Sequence, residues 1–201
     1  AADLACVFFE RGPLPGWLQI DMQGVNARSS IPRDAVVQDV LTFFQDVKPQ
    51  SGTGAIRYAR GLWESGYKEE AQAEARRAWT TMSLSQSQEE QFMHDWPKTL
   101  ADHHWERMDH LLWLGLTDEA ERHMARVSTD QQILARARIA LRNTDPGVDA
   151  MIEKVPEALQ DDPGLAYERM LWRLRKGRID DAIEMVLERS TSAAALGRPV
   201  M

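Results

Sequence analysis

Apolar side chains recur along this chain every three or four positions. Val36, Val37, Val40, Leu41 and Phe44 share one stripe, and Ile56, Ala59, Leu62 and Trp63 share the next. Ala71, Ala75, Ala78 and Trp79 follow, and after a gap Trp105, Met108, Leu111 and Leu112. The pattern continues through Ala120, Met124 and Val127, then Ile133, Leu134, Ala137 and Leu141, then Val148, Met151, Ile152 and Val155. Tyr167, Met170, Leu171 and Leu174 lead to a last stripe of Ile179, Ala182, Ile183, Val186 and Leu187. Each stripe makes one helix face apolar and leaves the other wet. No segment alternates strictly enough to be a strand, so the pattern predicts an all-α fold.

The residues between stripes predict where helices start and stop. Ser87 followed by Glu90 fits a capping box that opens the helix carrying Phe92, Met93 and Trp96. Asp145-Pro146-Gly147 and Asp162-Pro163-Gly164 place Asp at an N-cap and Pro at the first helical position. Gly12 to Gly16 and Pro49 to Gly54 read as loops. Connections this short make successive helices antiparallel neighbours.

One unit recurs three times. Leu62-Trp63 is followed by Gly66 and then Ala71, Leu112-Trp113 by Gly115 and Ala120, and Leu171-Trp172 by Gly177 and Ala182. Gly permits a left-handed turn at the end of the first helix. Acidic residues before the Ala favour the positive end of the second helix. Ala lets that helix approach closely, and Trp is expected to fill the space between the pair. Such pairs cannot bury their faces alone and must stack. The expected architecture is therefore a superhelix, or solenoid, of antiparallel helix pairs with tetratricopeptide-like turns. The Trp positions put the units fifty to sixty residues apart, beyond the ~34 of a tetratricopeptide repeat, so the repeat length is irregular. Residues 1–201 are read as one such domain, with 1–50 as a helical N-terminal part and 51–199 bearing the repeats.

Composition narrows the function classes. The formal net charge is −7, the wrong sign for a protein whose affinity comes from neutralising phosphates, so no nucleic-acid partner is expected. No apolar run approaches the ~20 residues of a membrane span. Cys6 is a single thiol and reads as a small buried residue.

Candidate chemistry is sparse. His94, His103, His104 and His110 lie close in sequence, with His123 beyond, and Asp102, Glu106 and Asp109 interleave with them. A helical zinc site needs two His four apart with a carboxylate between. The spacing here does not supply that, so these histidines read as surface or packing residues and no metal or cofactor is expected. Trp96, Trp105 and Trp113 offer an aromatic platform for sugar rings, against the plainer reading that they are core. Arg169, Arg173, Arg175, Lys176 and Arg178 precede Asp180, Asp181, Glu184 and Glu188, which suits pairing on a wet helix face. The carboxylate pairs Glu69-Glu70, Glu89-Glu90 and Asp161-Asp162 fall at helix starts or polar faces, where nothing raises a carboxyl pKa for acid catalysis. No catalytic residue is assigned.

A family resemblance extends this reading. Glu74-Ala-Arg-Arg-Ala-Trp79, Arg107-Met-Asp-His-Leu-Leu-Trp113, Ala135-Arg-Ala-Arg-Ile-Ala-Leu141 and Val155-Pro156 carry its first part. Asp161-Asp-Pro-Gly-Leu-Ala-Tyr-Glu-Arg169 is its most specific run, continuing through Leu171-Trp-Arg173, Lys176-Gly177, Ser192 and Leu196-Gly-Arg-Pro199. Ile31-Pro32 and Phe43-Phe44 match more loosely. From Ala55 to Pro199 the chain resembles the helical domain of soluble lytic murein transglycosylases. The resemblance implies a periplasmic protein whose helices curl into a ring or horseshoe beneath a lysozyme-like domain that cuts peptidoglycan strands. That catalytic domain is absent from this sequence, and Glu64-Ser65 lacks the motifs that follow the family's catalytic pair. The expected role is a non-catalytic scaffold that positions the cleaving domain, with peptidoglycan strands or that domain as partners. The alternative is a stand-alone helical-repeat adaptor for another protein.

Overall fold

The computed structural model describes residues 33–44 and 47–189, and every regular element among them is a helix. Cys6, the expected loop from Gly12 to Gly16, Ile31-Pro32, Ser192 and Leu196 to Pro199 lie outside the described residues. Contacts divide the chain into two compact units, with the boundary between Ala101 and Asp102.

In the first unit, α1 (Arg33–Phe44) and α2 (Gly52–Glu64) lead to α3 (Lys68–Thr81), α4 (Gln86–Asp95) and the short α5 (Pro97–Leu100). The α2–α3 pair is its centre. Ala55 and Ala59 on α2 and Ala71, Ala75 and Ala78 on α3 are wholly buried, the small residues that let two helices close on each other. Trp79 and Phe92 pack beside them with ring centroids 6.4 Å apart. Val37, Val40 and Leu41 of α1 lie over Gly61.

Two punctuation marks fall elsewhere than expected. Helix α2 already includes Gly52 and Gly54, because the Ser51 hydroxyl caps it by accepting from Gly54 N–H. The capping box of α4 is Ser85 with Gln88, two residues before the expected Ser87 and Glu90. Both pairs satisfy the sequence signature. Buried Met82 and Leu84 pin the chain so that Ser85 meets the helix end.

The second unit contains α6 (His104–Leu114), α7 (Thr117–His123), α8 (Thr129–Asn143), α9 (Val148–Glu153), α10 (Pro163–Arg175) and α11 (Ile179–Arg189). The helices pair as α6–α7, α8–α9 and α10–α11, and α6, α8 and α10 pack on one another. Ser128 opens α8 with a capping box to Gln131. Asp162 caps α10 by accepting from Leu165 N–H at 2.7 Å, with Pro163 at the first position. Asp145 does not cap α9: the left-handed Gly147 holds that place, and Asp145 and Pro146 belong to the turn before it.

The three expected corners share one geometry. Gly66, Gly115 and Gly177 have φ of 90°, 72° and 74°. At each, the residue after Gly donates its N–H five positions back: Tyr67 to Leu62, Leu116 to Leu111 and Arg178 to Arg173, all at 2.9 Å. Gly itself donates three positions back, completing the Schellman pair of bonds. Ala71, Ala120 and Ala182 then close the first turn of the next helix and are buried.

A fourth corner has no glycine. Thr144 stands at φ 63°, its N–H donating to Leu141, while Asp145 donates to Ala140 at 2.9 Å. This corner corrects the expected spacing. In the second unit the corners fall at Gly115, Thr144 and Gly177, close to a tetratricopeptide interval. The tryptophans also differ from expectation. Trp113 is buried, Trp172 is half-buried, and Trp63 is 40% exposed, edge-on to Trp96 and covered by the Lys68 ammonium at 3.7 Å. The corner is set by its backbone, and the Trp is not a constant filler.

Candidate functional site

Charged side chains inside the second unit form its most elaborate feature. Arg142, near the end of α8, donates to the carbonyl of Leu112, and reaches back 29 residues to that of Trp113. Those carbonyls end α6, and that of Leu112 also accepts the Gly115 N–H of the corner. The same guanidinium grips the Glu168 carboxylate of α10 through Nε and Nη2. Arg175, near the end of α10, repeats the device 33 residues back, donating to the Arg142 carbonyl at 3.0 Å. At the first corner Lys68 Nζ donates to the Trp63 carbonyl. Each of these three corners therefore has a basic side chain on its exposed carbonyls, where the helix dipole favours positive charge.

Arg138, one turn before Arg142, is 1% exposed. It donates to Asp109 at 2.6 Å, lies 3.5 Å from the Asp162 carboxylate, and sits 5.4 Å from the Trp113 ring centroid. Gly164 makes this possible, because a Cβ there would run into the guanidinium. Burial raises the Asp162 pKa, opposed by Arg138 and by the N–H bonds of Leu165 and Gly164. Three residues of one short run thus hold the structure together: Asp162 caps α10, Gly164 admits Arg138 and Glu168 holds Arg142. Arg107 with Glu119, and Arg77 with Glu74, are further buried or part-buried pairs. Sequence reading missed these clips. Their one signal is that Arg138 interrupts an apolar stripe, four residues after Leu134 and three before Leu141.

The histidines do not converge on a metal geometry. His94 belongs to the first unit and is exposed. His103 pairs with exposed Glu106 at 3.0 Å. His123 is buried and donates Nε2–H to the His104 carbonyl at 3.0 Å, and the two rings stand 5.4 Å apart. Burial, then the Arg107 charge, push the His123 pKa down to about 3. Burial, Arg126 and His103 lower that of His104. His123 is thus a neutral packing residue at neutral pH. Among the described residues, no three His, Cys, Asp or Glu are placed to hold a metal ion.

Trp96 and Trp113 are buried and Trp105 is half-buried, which fits the plainer reading of these tryptophans as core and not that of an open sugar platform. Among the described residues, the exposed indole is that of Trp63. The basic stretch is divided among separate roles, with Arg175 on α8 carbonyls, Lys176 by the Trp172 ring, and Arg178 on Asp181. Glu69, Glu70 and Glu90 are exposed, whereas Glu89 is buried. A cleft of about 390 Å³ opens over α7, α8 and α9, lined by Met124, Ile139, Ala140 and Met151 with Glu121, Arg136 and Asp145. No helix among the described residues is long and apolar enough to cross a membrane. No family model, no curated protein and no solved structure matches the chain.

Proposed function

We propose that this chain is a scaffold: its helix pairs stack into a superhelix that holds a peptidoglycan-cleaving domain in place and contacts cell-wall glycan in the periplasm. One observation carries the scaffold half of this reading. The corner device is built repeatedly, and the buried charges serve to clamp one helix to another. The packing of α6, α8 and α10 and the near-regular reach of Arg142 and Arg175 support stacking of successive pairs. The cell-wall half rests on the likeness to soluble lytic murein transglycosylases. Its most specific run, Asp161 to Arg169, supplies the cap, the glycine and the carboxylate that hold α10.

Sedimentation with purified peptidoglycan tests the glycan contact. The chain is expected in the pellet with peptidoglycan and in the supernatant without it. Recovery in the supernatant in both cases would remove that contact and leave the adaptor reading. A specific feature favours that second reading: α11 exposes Ile179, Ile183 and Val186, residues suited to a protein partner.

A further inference from the structure

The cleft over α7, α8 and α9 has a floor and a rim of different character. Its floor is apolar: Ile139 and Ala140 of α8 are buried, and Met124 and Met151 are half-buried beside them. Methionine is unbranched and polarizable, so such a floor adapts to apolar side chains of differing shape. The rim carries Glu121, Arg136 and Asp145, all three exposed. Elsewhere in the second unit charged side chains are engaged: Arg138 with Asp109, Arg142 with Glu168 and Arg178 with Asp181. Among the described residues, the side chains of Glu121, Arg136 and Asp145 make no hydrogen bond or ion pair, either with one another or with a neighbour. A guanidinium and two carboxylates thus line one cleft without neutralising each other.

Their order along α8 says what suits the cleft. Arg136 lies one turn before Ile139 and Ala140 on the same helix face. Asp145 follows the helix end, with its N–H on the Ala140 carbonyl. Opposite charges therefore stand at the two ends of the α8 side of the floor. The helical run from Arg136 to Asn143, at about 1.5 Å per residue, puts those ends about 10 Å apart. Three residues of extended chain, at about 3.4 Å each, span the same length. The volume of about 390 Å³ lies within the range of small-ligand sites. No aromatic ring lines the cleft for a sugar to stack on, and two carboxylates against one guanidinium disfavour a phosphate. The geometry points to a binding site for a short apolar peptide, about three residues long, with both of its ends free. Its carboxylate pairs with the Arg136 guanidinium, which can take it through two N–H bonds. Its ammonium lies toward Asp145, with Glu121 adding a second carboxylate from the α7 side, and its side chains rest on the methionines. This site goes beyond the scaffold reading and does not depend on it.

The test is isothermal titration calorimetry of the whole chain with trileucine, its N-acetyl form, its C-terminal amide, and triglycine. Trileucine should bind saturably, and blocking either end should weaken it roughly fivefold, the worth of one partly exposed ion pair. Triglycine, which has both ends but nothing for the floor, should not saturate. Arg136→Gln should bind trileucine and its amide equally, because the partner of the carboxylate is gone. The double variant Glu121→Gln, Asp145→Asn should in turn bind trileucine and its N-acetyl form equally. All three positions lie at the surface, so circular dichroism should stay unchanged in these variants. Failure of trileucine to saturate would overturn the proposal. Equal affinity of the three leucine peptides for the wild type would do the same, since the cleft would then be an apolar surface blind to charge. Sensitivity to amidation that survives Arg136→Gln would also overturn it, because the carboxylate would then bind elsewhere.

Discussion

Thr144 offers the sharpest test of the corner. It is the only non-glycine residue with positive φ among those described, and it occupies the place that Gly66, Gly115 and Gly177 hold at the other corners. A branched side chain in the left-handed region costs about 1–2 kcal/mol. Replacing it with Gly relieves that strain and returns roughly 0.4–1 kcal/mol through the freer unfolded chain. Thr144→Gly should therefore stabilise the protein by about 0.5–1 kcal/mol, a rise in Tm of about 2–4 °C at most for a chain of this length. Denaturant unfolding followed by circular dichroism reads the difference. The reverse change at open corners, Gly66→Ala or Gly177→Ala, meets no atom within 4 Å and should cost only the strain, about 1 kcal/mol. Gly115→Ala should cost about 2–3 kcal/mol, because the new methyl also displaces the Arg142 guanidinium. If Thr144→Gly destabilises the fold while Gly66→Ala is neutral, the corner is not held by backbone geometry and the reasoning fails.

Three other outcomes are expected on the same physical grounds. Because the His123 pKa falls from 6.5 unfolded to about 3 folded, the unfolded chain binds the extra proton. Stability is full above pH 6.5 and declines as pH falls toward 3, by about 2 kcal/mol between pH 7 and 5 from this group. His104 acts in the same direction, and denaturant titrations of wild type and His123→Gln across this range should show a shallower slope in the variant. Arg142→Ala should cost about 3–5 kcal/mol by leaving buried Glu168 unpaired, whereas the double change Arg142→Met, Glu168→Leu should recover much of it; a double-mutant cycle checks this. Ser85→Ala should lower stability by about 1 kcal/mol and Ser87→Ala by much less, as read from paired melting curves, because only Ser85 closes the capping box.

Local chemistry explains what the sequence could reveal. Gly66, Gly115 and Gly177 announce their corners because glycine is the residue the left-handed backbone favours, and Asp162-Pro163 announces a helix start for a similarly local reason. Thr144 carries no such mark, so its corner stays hidden in the sequence and the repeat interval looks too long. Ser85 and Ser87 satisfy the same capping signature, and the choice between them is made by the burial of Met82 and Leu84. The Leu-Trp dipeptides read alike, yet Trp113 is buried and Trp63 is not, because Arg138 and Tyr167 from later helices pack on the first. Arg138 and Arg142 find partners 26 to 30 residues away, a distance at which residue spacing carries no information. The histidines illustrate the converse. Their crowding in sequence suggests a site, but helical geometry turns them to different neighbours.

On the scaffold reading, these helices hold and position without cutting. Prolonged incubation of the purified chain with purified peptidoglycan, followed by chromatography and mass spectrometry of the soluble fraction, measures this directly. No anhydro-muropeptides are expected above the level of a protein-free control. Their release in proportion to the amount of chain added would show that the chain itself cuts glycan, and the scaffold reading would fall.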